Sequence, residues 1–437
     1  MQLHNGIDDG EQVHNWLGHA IEGGLFTGAL ALVNAQTLLP SVVQGLHGPE
    51  YLVALMPSLM AIGMLAPPML TAHAIGGLSH FRPLLMWTGL FQRLAYLGAA
   101  LVLLLAKDPH LCLVVVALAP LVSGICGGIS ITAWQQLLVR TISPARRSSV
   151  FAARYAIGSL IGVGGGWVVH ATLASHPGIR GYGLLHLWAF LILAASFAVF
   201  TTIREPAEPA FREPETSLWD NVRTMPSLLV ADRRLLRLVT SGIAFGFTGA
   251  LVPYLAIHAR HVCAAPESFL GELVSWQMAG AIAGGLTAGW IGDRRGSKLP
   301  LQAGRLVFLM VCVAASFATS VWAWRLLFMA FGAAFSACTV GAGTIQLDIL
   351  PAQGRSNRLA IMSANQLPVT ILASLVGGVA WKEAGEAAFP WLAAGSAVAA
   401  ALAIIFLVKM PEPRTATNVI LSRSGFTSRS ECPPCPE

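Results

Sequence analysis

Long stretches of the chain carry no charged residue. Setting histidine aside, they cover residues 23–49, 51–81, 109–139, 155–179, 181–203, 238–259, 273–292, 306–324, 326–347, 359–381 and 387–408. A helix needs about 20 consecutive apolar residues to cross roughly 30 Å of hydrocarbon, so each stretch predicts one membrane-spanning helix. Residues 83–106, which only Arg93 interrupts, predict one more. The pattern therefore predicts an all-α polytopic membrane protein with about twelve transmembrane helices.

The longest polar interruption, residues 204–236, divides these spans six and six. A weak repeat links the two groups, because Pro144 corresponds to Pro351 at an offset of 207 residues. Arg147 corresponds to Arg355 at an offset of 208. Two parallel copies of a six-helix unit explain this repeat. We therefore predict a first bundle over 1–203, a cytoplasmic loop over 204–236, a second bundle over 237–410 and a disordered cytoplasmic tail over 411–437.

The composition excludes a soluble globular protein. Of the 437 residues, 55% are hydrophobic and only 11% are charged, whereas soluble domains carry about twice that charged fraction. The sequence contains no phosphate-binding loop, nucleophile elbow or clustered metal ligands. We therefore expect neither an enzyme nor a cofactor, and any work the protein does must draw on a gradient.

Basic residues lie mainly on one side of the predicted membrane. With the N-terminus placed inside, twenty Lys and Arg fall in inner segments and five in outer loops. Because cytoplasmic loops accumulate basic residues, both termini should be cytoplasmic. The net charge of +6 is spread over short loops, which argues against a nucleic-acid partner because phosphate-tracking surfaces need dense basic patches.

The first fifteen residues hold Asp8, Asp9 and Glu11 but no Lys or Arg. This is the wrong charge for the start of a signal peptide, so the first span should be an uncleaved helix. We expect a monomeric multi-pass protein of the bacterial cytoplasmic (inner) membrane, with the lipid bilayer as its surroundings.

A loop motif ends the eighth span. The segment GWIGDRRGSK places Gly289, Asp293, Arg294 and Gly296 at the spacing of a tight turn between two helix ends. It resembles the GxxxDRxGRR loop signature of the major facilitator superfamily, the twelve-helix secondary transporters. Ser297 stands where that family often has a basic residue. The resemblance implies two six-helix bundles around a central site.

A second motif lies at the inner end of the tenth span. Asp348, Pro351 and Arg355 reproduce the superfamily's acidic-xx-Pro-xxx-Arg pattern, with a serine after the arginine. In that family such residues join the loop aspartate in a charge network that closes the cytoplasmic side. The alternative is a solvated ion pair of little energetic consequence. The resemblance implies a cytoplasmic gate formed by Gly289, Asp293, Arg294, Gly296, Asp348 and Arg355.

The first half departs from both motifs. His80 or Phe81 occupies the position of the loop aspartate, and Thr141 stands where the acid of the second motif is expected. The fifth span resembles the antiporter glycine motif, but Val163 replaces its proline. These departures weigh against drug/proton antiport.

Small residues recur every four positions in two spans, at 158, 162 and 166 and at 280, 284 and 288. Each row lies on one helix face and lets another backbone approach closely. Static packing explains both rows. A sliding seam between the halves is the alternative, and it requires the two rows to face each other.

Polar side chains within spans should face a cavity or a partner, because a polar group without a hydrogen-bond partner is costly in hydrocarbon. Amides and aromatic rings together suit a neutral or zwitterionic organic solute better than a bare ion. Hydrogen bonds between helices are the alternative role for each of them. The substrate-cavity candidates are Asn34, Gln36, Gln136, Arg154, Tyr254, Gln277, Gln346, Asn365 and Gln366.

Proton coupling usually requires a carboxylate near the middle of the membrane. Only Glu22, Glu272 and Asp348 lie within or beside a span, and the last two lie near span ends. Glu22 is therefore the proton-coupling candidate by elimination. Its alternative role is an ion pair with Arg154 or another base at the inner end of a span.

Metal binding is not expected. His258 and His261 have metal-like spacing on a helix, but we expect no acidic third ligand alongside them. Cys432 and Cys435 form a CPPC in the tail without a second pair nearby.

The sequence thus predicts a secondary active transporter that moves a small organic solute by rocker-switch alternating access, with protons as a candidate coupling ion. Within transport, export of a drug or lipid and import of a nutrient both remain open. A membrane sensor or scaffold that kept the fold and lost transport is the alternative from another class. The substrate, the direction and the oligomeric state do not follow from the sequence.

Overall fold

The computed structural model describes residues 9–65, 78–106, 108–206, 231–349 and 366–412, together with single positions between these ranges. The predicted tail lies outside the described residues from 413 onward, as do Arg355 and Asn365. The regular elements of the described chain are helices. We call residues 9–206 the first half and residues 231–412 the second half.

Seven α-helices are described in each half of the chain. Those of the first half are α1 (Asp9–Ala31), α2 (Leu38–Gly45), α3 (Glu50–Leu65), α4 (Arg82–Leu105), α5 (Pro109–Thr141), α6 (Pro144–Ser175) and α7 (Ile179–Thr201). Those of the second half are α8 (Arg233–Gly246), α9 (Val252–Val262), α10 (Phe269–Arg295), α11 (Lys298–Ala315), α12 (Val321–Ile349), α13 (Gln366–Ala384) and α14 (Phe389–Val408). α1 with α2, and α8 with α9, each make one crossing. The fourteen described α-helices therefore give twelve crossings, which confirms the predicted all-α architecture.

The surface of the bundle suits lipid. Eight helical segments of the described chain are long and apolar enough to cross a membrane. Large apolar side chains point outward, and Leu105, Phe317 and Trp391 are 77%, 79% and 79% exposed. In water such side chains would form a costly apolar surface, whereas in a bilayer they contact acyl chains.

The first span of each half is interrupted in its middle. Between α1 and α2, the side-chain oxygen of Asn34 accepts the backbone N–H groups of Gln36 and Thr37 at 2.9 and 3.1 Å. These bonds satisfy donors at the start of α2 that have no partner within the helix. Between α8 and α9 the chain passes through a 3-10 turn at Phe247–Ala250. Both interruptions bring polar backbone and side chains to mid-membrane depth.

The two rows of small residues pack in different interfaces. A Cβ on Gly280 would lie 1.8 Å from the carbonyl oxygen of Met329, so this row presses α10 against α12 within the second half. A Cβ on Gly162 would instead meet Met278, and one on Gly166 would lie 2.6 Å from the carbonyl oxygen of Gly271. The rows therefore do not face each other in this conformation, so the condition for the alternative of a sliding seam is not met. The row of the fifth span, on α6, instead contacts α10 between Gly271 and Met278.

A carboxylate after the last span of each half binds the start of α4 or α11. Glu205 accepts the backbone N–H groups of Phe81 and Arg82 at 2.9 Å each, and Arg140 donates to it at 3.2 Å. Its side chain is only 2% exposed. The Arg82 guanidinium in turn donates to the carbonyl oxygen of Thr201 at the end of α7. The start of α4 and the end of α7 thereby stabilise each other, because helix N-termini favour anions and helix C-termini favour cations.

The second half repeats this arrangement. Glu412 accepts the backbone N–H groups of Ser297 and Lys298 at 3.1 Å each. The Lys298 ammonium donates to the carbonyl oxygen of Val408 at 3.0 Å. Glu412 follows Glu205 by 207 residues, the offset of the sequence repeat, and each stands before a proline. We call these two contacts the end caps.

The end caps should contribute measurably to stability. Glu205→Gln leaves a buried Arg140 beside a neutral amide, and a hydrogen bond to a charged group is worth about 1.5–3 kcal/mol. We expect E205Q to lower the melting temperature in detergent, and E412Q to lower it less because Glu412 is only half-buried. Glu383→Gln at an exposed position is the control and should leave it unchanged. Equal melting temperatures for E205Q and E383Q would contradict the structural role of the cap.

Candidate functional site

Gln277 of α10 joins the two halves at the interruption between α1 and α2. Its side-chain oxygen accepts from the Thr37 hydroxyl at 3.0 Å and from the Asn34 amide at 3.4 Å. Its side-chain nitrogen donates to the Gln36 oxygen at 2.6 Å. We call these four residues the central bridge. Three of them, Asn34, Gln36 and Gln277, are substrate-cavity candidates from the sequence.

The central bridge is polar, uncharged and largely buried. Thr37 is 0% exposed, Gln277 is 2% and Asn34 is 7%. Amide groups offer both donors and acceptors, and the same groups can bind hydroxyl, carbonyl or amide groups of a solute. Thr37 is one of the polar residues of the first span, and its contact with α10, 240 residues away, distinguishes it from an ordinary span threonine.

Glycines bring α6 and α10 into backbone contact next to the bridge. A Cβ on Gly166 would lie 2.6 Å from the carbonyl oxygen of Gly271, and one on Gly271 would lie 2.4 Å from that of Gly166. The Ser275 hydroxyl donates to the carbonyl oxygen of Val163 at 3.0 Å across the same contact. Any larger side chain at either glycine would hold the two halves apart here.

α3 and α13 form a second contact between the halves. The hydroxyls of Ser58 and Ser374 lie 3.3 Å apart, and a Cβ on Gly378 would lie 3.0 Å from the Cα of Tyr51. α3 begins, and α13 ends, at the face of the bundle away from the described chain ends. We call that face the opposite face, and the one with the chain ends the terminal face. Both contacts between the halves thus involve helix segments toward the opposite face.

Charged and polar groups link the halves near the opposite face. The Nδ1 atom of His170, on α6, lies 3.0 Å from the carbonyl oxygen of Ser268 and 3.7 Å from a carboxylate oxygen of Glu272. Arg325 of α12 donates to the other oxygen of Glu272 at 2.9 Å. Glu267 accepts the backbone N–H of Gly178 at 2.8 Å. The sequence indicated only that Glu272 lies near a span end. It could not indicate the partners, because they lie on α6 and α12, far from Glu272 in sequence.

Glu22 lies between two guanidinium groups within the first half. Arg154 donates to it at 2.9 Å, and Arg93 approaches its other oxygen at 3.7 Å. Arg154 also lies over the ring of Trp134 at 4.6 Å and donates to the carbonyl oxygen of His19. The ion pair with Arg154, which is the alternative role of Glu22, is therefore present in this conformation.

The loop motif lies at the terminal face. Gly296 has φ +91°, a backbone conformation that glycine adopts without strain. The Ser297 hydroxyl donates to Asp348 at 2.6 Å, which joins the two motifs. Asp293 and Arg294 are exposed, and the Arg294 guanidinium lies 4.4 Å from the Trp290 ring centroid. A Cβ on Gly289 would meet no atom within 4 Å.

The remaining cavity candidates are dispersed. Tyr254 is fully buried and stacks on Trp381 with ring centroids 4.2 Å apart. Gln136 is exposed and Gln346 half-buried, while the Gln366 amide lies over Gly242 of α8. None of these four takes part in the hydrogen bonds of the central bridge among the described residues.

The histidine pair of α9 has a carboxylate beside it after all. Glu386, from the turn between α13 and α14, lies 2.5 Å from Nδ1 of His258 and 3.6 Å from Nδ1 of His261. The expectation that no acid lies alongside is therefore wrong in space, because chain folding supplies it from 128 residues away. The shorter distance is that of a direct hydrogen bond. Within the described ranges no three His, Cys, Asp or Glu side chains are arranged to hold a metal ion.

One family model and several solved structures are similar to this chain. Residues 243–354 match the MFS_1 like family. A nucleoside transporter structure aligns at 12% identity and a TM-score of 0.70, covering 90% of this chain and 99% of that one. A D-xylose–proton symporter aligns at 15% identity and a TM-score of 0.70, covering 92% and 98%. A bacterial homologue of the iron transporter ferroportin, in an inward-facing state, aligns at 14% identity and a TM-score of 0.64, covering 92% and 98%.

No curated protein matches the sequence. The identities to the solved structures are low, so those likenesses concern the fold. The family match covers the loop motif and most of the second motif, which are the segments that carried the resemblance in the sequence. Residues 243–354 thus match the MFS_1 like family, and the chain shares the fold of these solved transporters, the fold of the major facilitator superfamily.

Proposed function

We propose that this protein is a secondary active transporter that moves a small organic solute by alternating access. The observation that carries the proposal is the one-sided contact between the halves. Their described hydrogen bonds run from the central bridge toward the opposite face, through α6 with α10 and α3 with α13. Rocking of the two halves about the bridge would exchange this closure for one at the terminal face.

We assign the terminal face to the cytoplasm of a bacterium and the membrane to its inner membrane. The twenty-to-five distribution of basic residues supports this orientation. On this assignment the conformation described above is closed toward the outside. The two six-helix bundles, 1–203 and 237–410, are the moving bodies of the proposal, with the loop 204–236 between them.

A neutral or zwitterionic solute fits the central bridge best. The bridge contains three amides and one hydroxyl and no ionised side chain. Two similar structures carry the names of a nucleoside transporter and a D-xylose–proton symporter, whose cargoes are hydroxyl-rich organic molecules. Gln136, Arg154, Tyr254, Gln346, Asn365 and Gln366 remain candidates for a wider cavity around the bridge.

Glu22 remains our candidate proton carrier. Its carboxylate lies within hydrogen-bonding distance of Arg154 and near Arg93, and on this proposal proton uptake accompanies the departure of a guanidinium. Because Arg154 is on α6, a helix that also contacts the second half, movement of the halves provides a route for that release. The gradient would then be coupled to conformation through one ion pair.

Replacing Gln277 should remove solute binding. Gln277→Leu deletes every hydrogen bond across the central bridge and should abolish the rise in melting temperature that a bound solute gives. The probes are a panel of nucleosides, pentoses and amino acids, tested on purified protein. Gln92→Leu is the matched control, because it removes a buried amide whose hydrogen bond among the described residues goes to the carbonyl oxygen of Ser123 in the same half. It should lower stability and keep the response.

Two results would count against this assignment. A response that persists in Q277L would remove the bridge from the binding site. Absence of a response to every member of the panel in the unmodified protein would contradict the solute class and favour a sensor or scaffold.

Alanine at Gly271 should shift the conformational equilibrium. Its Cβ would lie 2.3 Å from the backbone nitrogen of His170, so the opposite face could no longer close. Spin labels at Arg146→Cys and Arg295→Cys, exposed positions on the terminal face, report the spacing between the halves. We expect G271A to shorten this distance.

Gly164→Ala is the matched control for that measurement, because a Cβ there meets nothing within 4 Å. It should leave the distance distribution unchanged. Identical distributions for G164A and G271A would contradict closure through the glycine contact.

The gate proposal concerns the terminal face. Asp348→Asn and Arg355→Gln should reduce solute exchange in proteoliposomes about tenfold or more, the effect of losing one charge-assisted hydrogen bond of about 1.5–3 kcal/mol. Insertion in the membrane should not change. Arg295→Gln, an exposed arginine of the same loop, is the control. Full exchange in both gate variants would contradict a gating role for Asp348 and Arg355.

A further inference from the structure

Two arginines of the first half share the carboxylate of Glu22. Arg154 lies 2.9 Å from one of its oxygens, and Arg93 lies 3.7 Å from the other. Within the described residues, these are the ion pairs that the two arginines make. His19, whose carbonyl oxygen accepts from Arg154, can add only positive charge. The cluster therefore holds two positive charges against one negative charge.

The surplus charge lies at a depth where it requires a partner. Arg154 lies ten residues after the start of α6, about 15 Å along the helix. A charge in the interior of a membrane protein is costly unless an opposite charge lies beside it. Glu22 balances one of the two guanidinium groups, so the cluster has room for one more anion.

Arg93 is fully engaged within the first half. Its Nε and Nη1 atoms donate to the carbonyl oxygens of Leu193 and Gly89, each at 2.9 Å. Its Nη2 atom donates to the Ser196 hydroxyl at 3.2 Å, and the side chain is only 6% exposed. Arg93 is therefore a structural cation that joins α4 to α7.

Arg154 keeps one edge of its guanidinium accessible. Its Nη1 atom donates both to Glu22 and to His19, whereas its Nε and Nη2 atoms make no hydrogen bond to a described residue. The side chain is 18% exposed, and neither of these nitrogens is buried. Two adjacent N–H donors on a planar edge match the two oxygens of a carboxylate. The anion that the cluster lacks can therefore bind at this edge.

Arg154 also lies on the face of α6 that meets the second half. Residues 154, 158, 162 and 166 are four positions apart and so share one helix face. Gly162 and Gly166 contact α10, while the atoms nearest to a Cβ on Gly158 belong to α1. Arg154 lies one turn farther toward the terminal face, beyond the described hydrogen bonds between the halves. It is therefore reached from the side on which the halves are apart.

We propose that Arg154 binds a carboxylate group of the transported solute. This inference rests on the proposed transport function and narrows its substrate class to molecules with one acid group. A carboxylate balances the surplus of one positive charge. A phosphate monoester carries close to two negative charges and would reverse that surplus.

The distance from the central bridge sets the length of the solute. Eight residues of α6 separate Arg154 from Gly162, which meets Met278 next to Gln277 of the bridge. They correspond to about 12 Å along the helix. A solute that contacts both is therefore extended, with an uncharged polar end at the bridge and its carboxylate at Arg154.

A matched acid and amide test this assignment. N-acetyltriglycine is about 12 Å long when extended, offers amide groups to the bridge and ends in one carboxylate, whereas its C-terminal amide is uncharged and otherwise alike. Apparent affinity is the concentration that gives half the maximal rise in melting temperature of the purified protein. We expect the acid to bind about tenfold or more tightly than the amide, the effect of one charge-assisted hydrogen bond. N-acetylglycine, which is too short to reach both contacts, should bind more weakly than the long acid.

Variants identify the residue responsible. Arg154→Gln should make the long acid and its amide bind equally. The double variant Glu22→Gln/Arg154→Gln should do the same, and it removes the carboxylate that the single variant leaves buried without its partner.

Arg325→Gln is the matched control. Arg325 also lies over a tryptophan, 4.5 Å from the Trp322 ring centroid, and also binds a glutamate. Its Nε and Nη2 atoms both donate to Glu272, so that edge is already occupied. R325Q should keep the preference for the acid.

Each outcome decides the proposal. Equal affinity for the long acid and its amide in the unmodified protein overturns it, as does a preference that survives both Arg154 variants or is lost in R325Q. Equal affinity for N-acetylglycine and the long acid overturns the extended contact. Binding of neither long probe overturns the inference and leaves alternating access standing if the spin labels at positions 146 and 295 report two distances. A single distance under every condition overturns both.

Discussion

Polar groups placed in hydrocarbon must find partners inside the protein, and this constraint explains the main features of the structure. The interruption between α1 and α2 exposes backbone donors in mid-membrane, and the Asn34 side chain binds two of them. The side-chain amides gathered there then find partners on Gln277 of the other half. A break in one helix therefore creates the polar contact that joins the two halves.

The central bridge between the halves differs in kind from the contacts that fix each half. Within a half, buried charges and end caps fix the helices: Arg93 binds the carbonyl oxygen of Leu193, and Glu205 binds the start of α4. Between the halves, the central bridge consists of neutral amides and a hydroxyl. Hydrogen bonds of this kind are worth roughly 0.6–2 kcal/mol each inside membranes. Rigid halves joined by modest bonds suit a protein that exchanges two conformations of similar free energy.

Glycine sets where the halves meet. At Gly166 and Gly271 the two backbones touch, and the neighbouring side chains are brought within reach of each other. His170 and Glu272 belong to this neighbourhood, so their distance depends on whether the helices are in contact. We therefore expect closure of the opposite face to be sensitive to a single added methyl group at Gly271.

The sequence by itself determined the class of the protein and the number of its spans. Charge-free runs of about twenty residues reveal membrane helices because the requirement is local, one length of helix for one bilayer. The resemblance to the major facilitator superfamily followed from two short motifs, which are also contiguous. The sequence repeat also includes the two end-cap residues, since Glu205 and Glu412 lie 207 residues apart and each precedes a proline.

Tertiary structure alone decided which residues act together. Asn34 meets Gln277 across 243 residues, and His170 meets a carboxylate on another helix that the sequence marks only as near a span end. The glycine rows show the same limit, because spacing along one helix indicates that a close neighbour exists but not which helix provides it. Helix formation depends on residues a few positions apart, whereas the pairing of helix faces depends on how all the spans pack together.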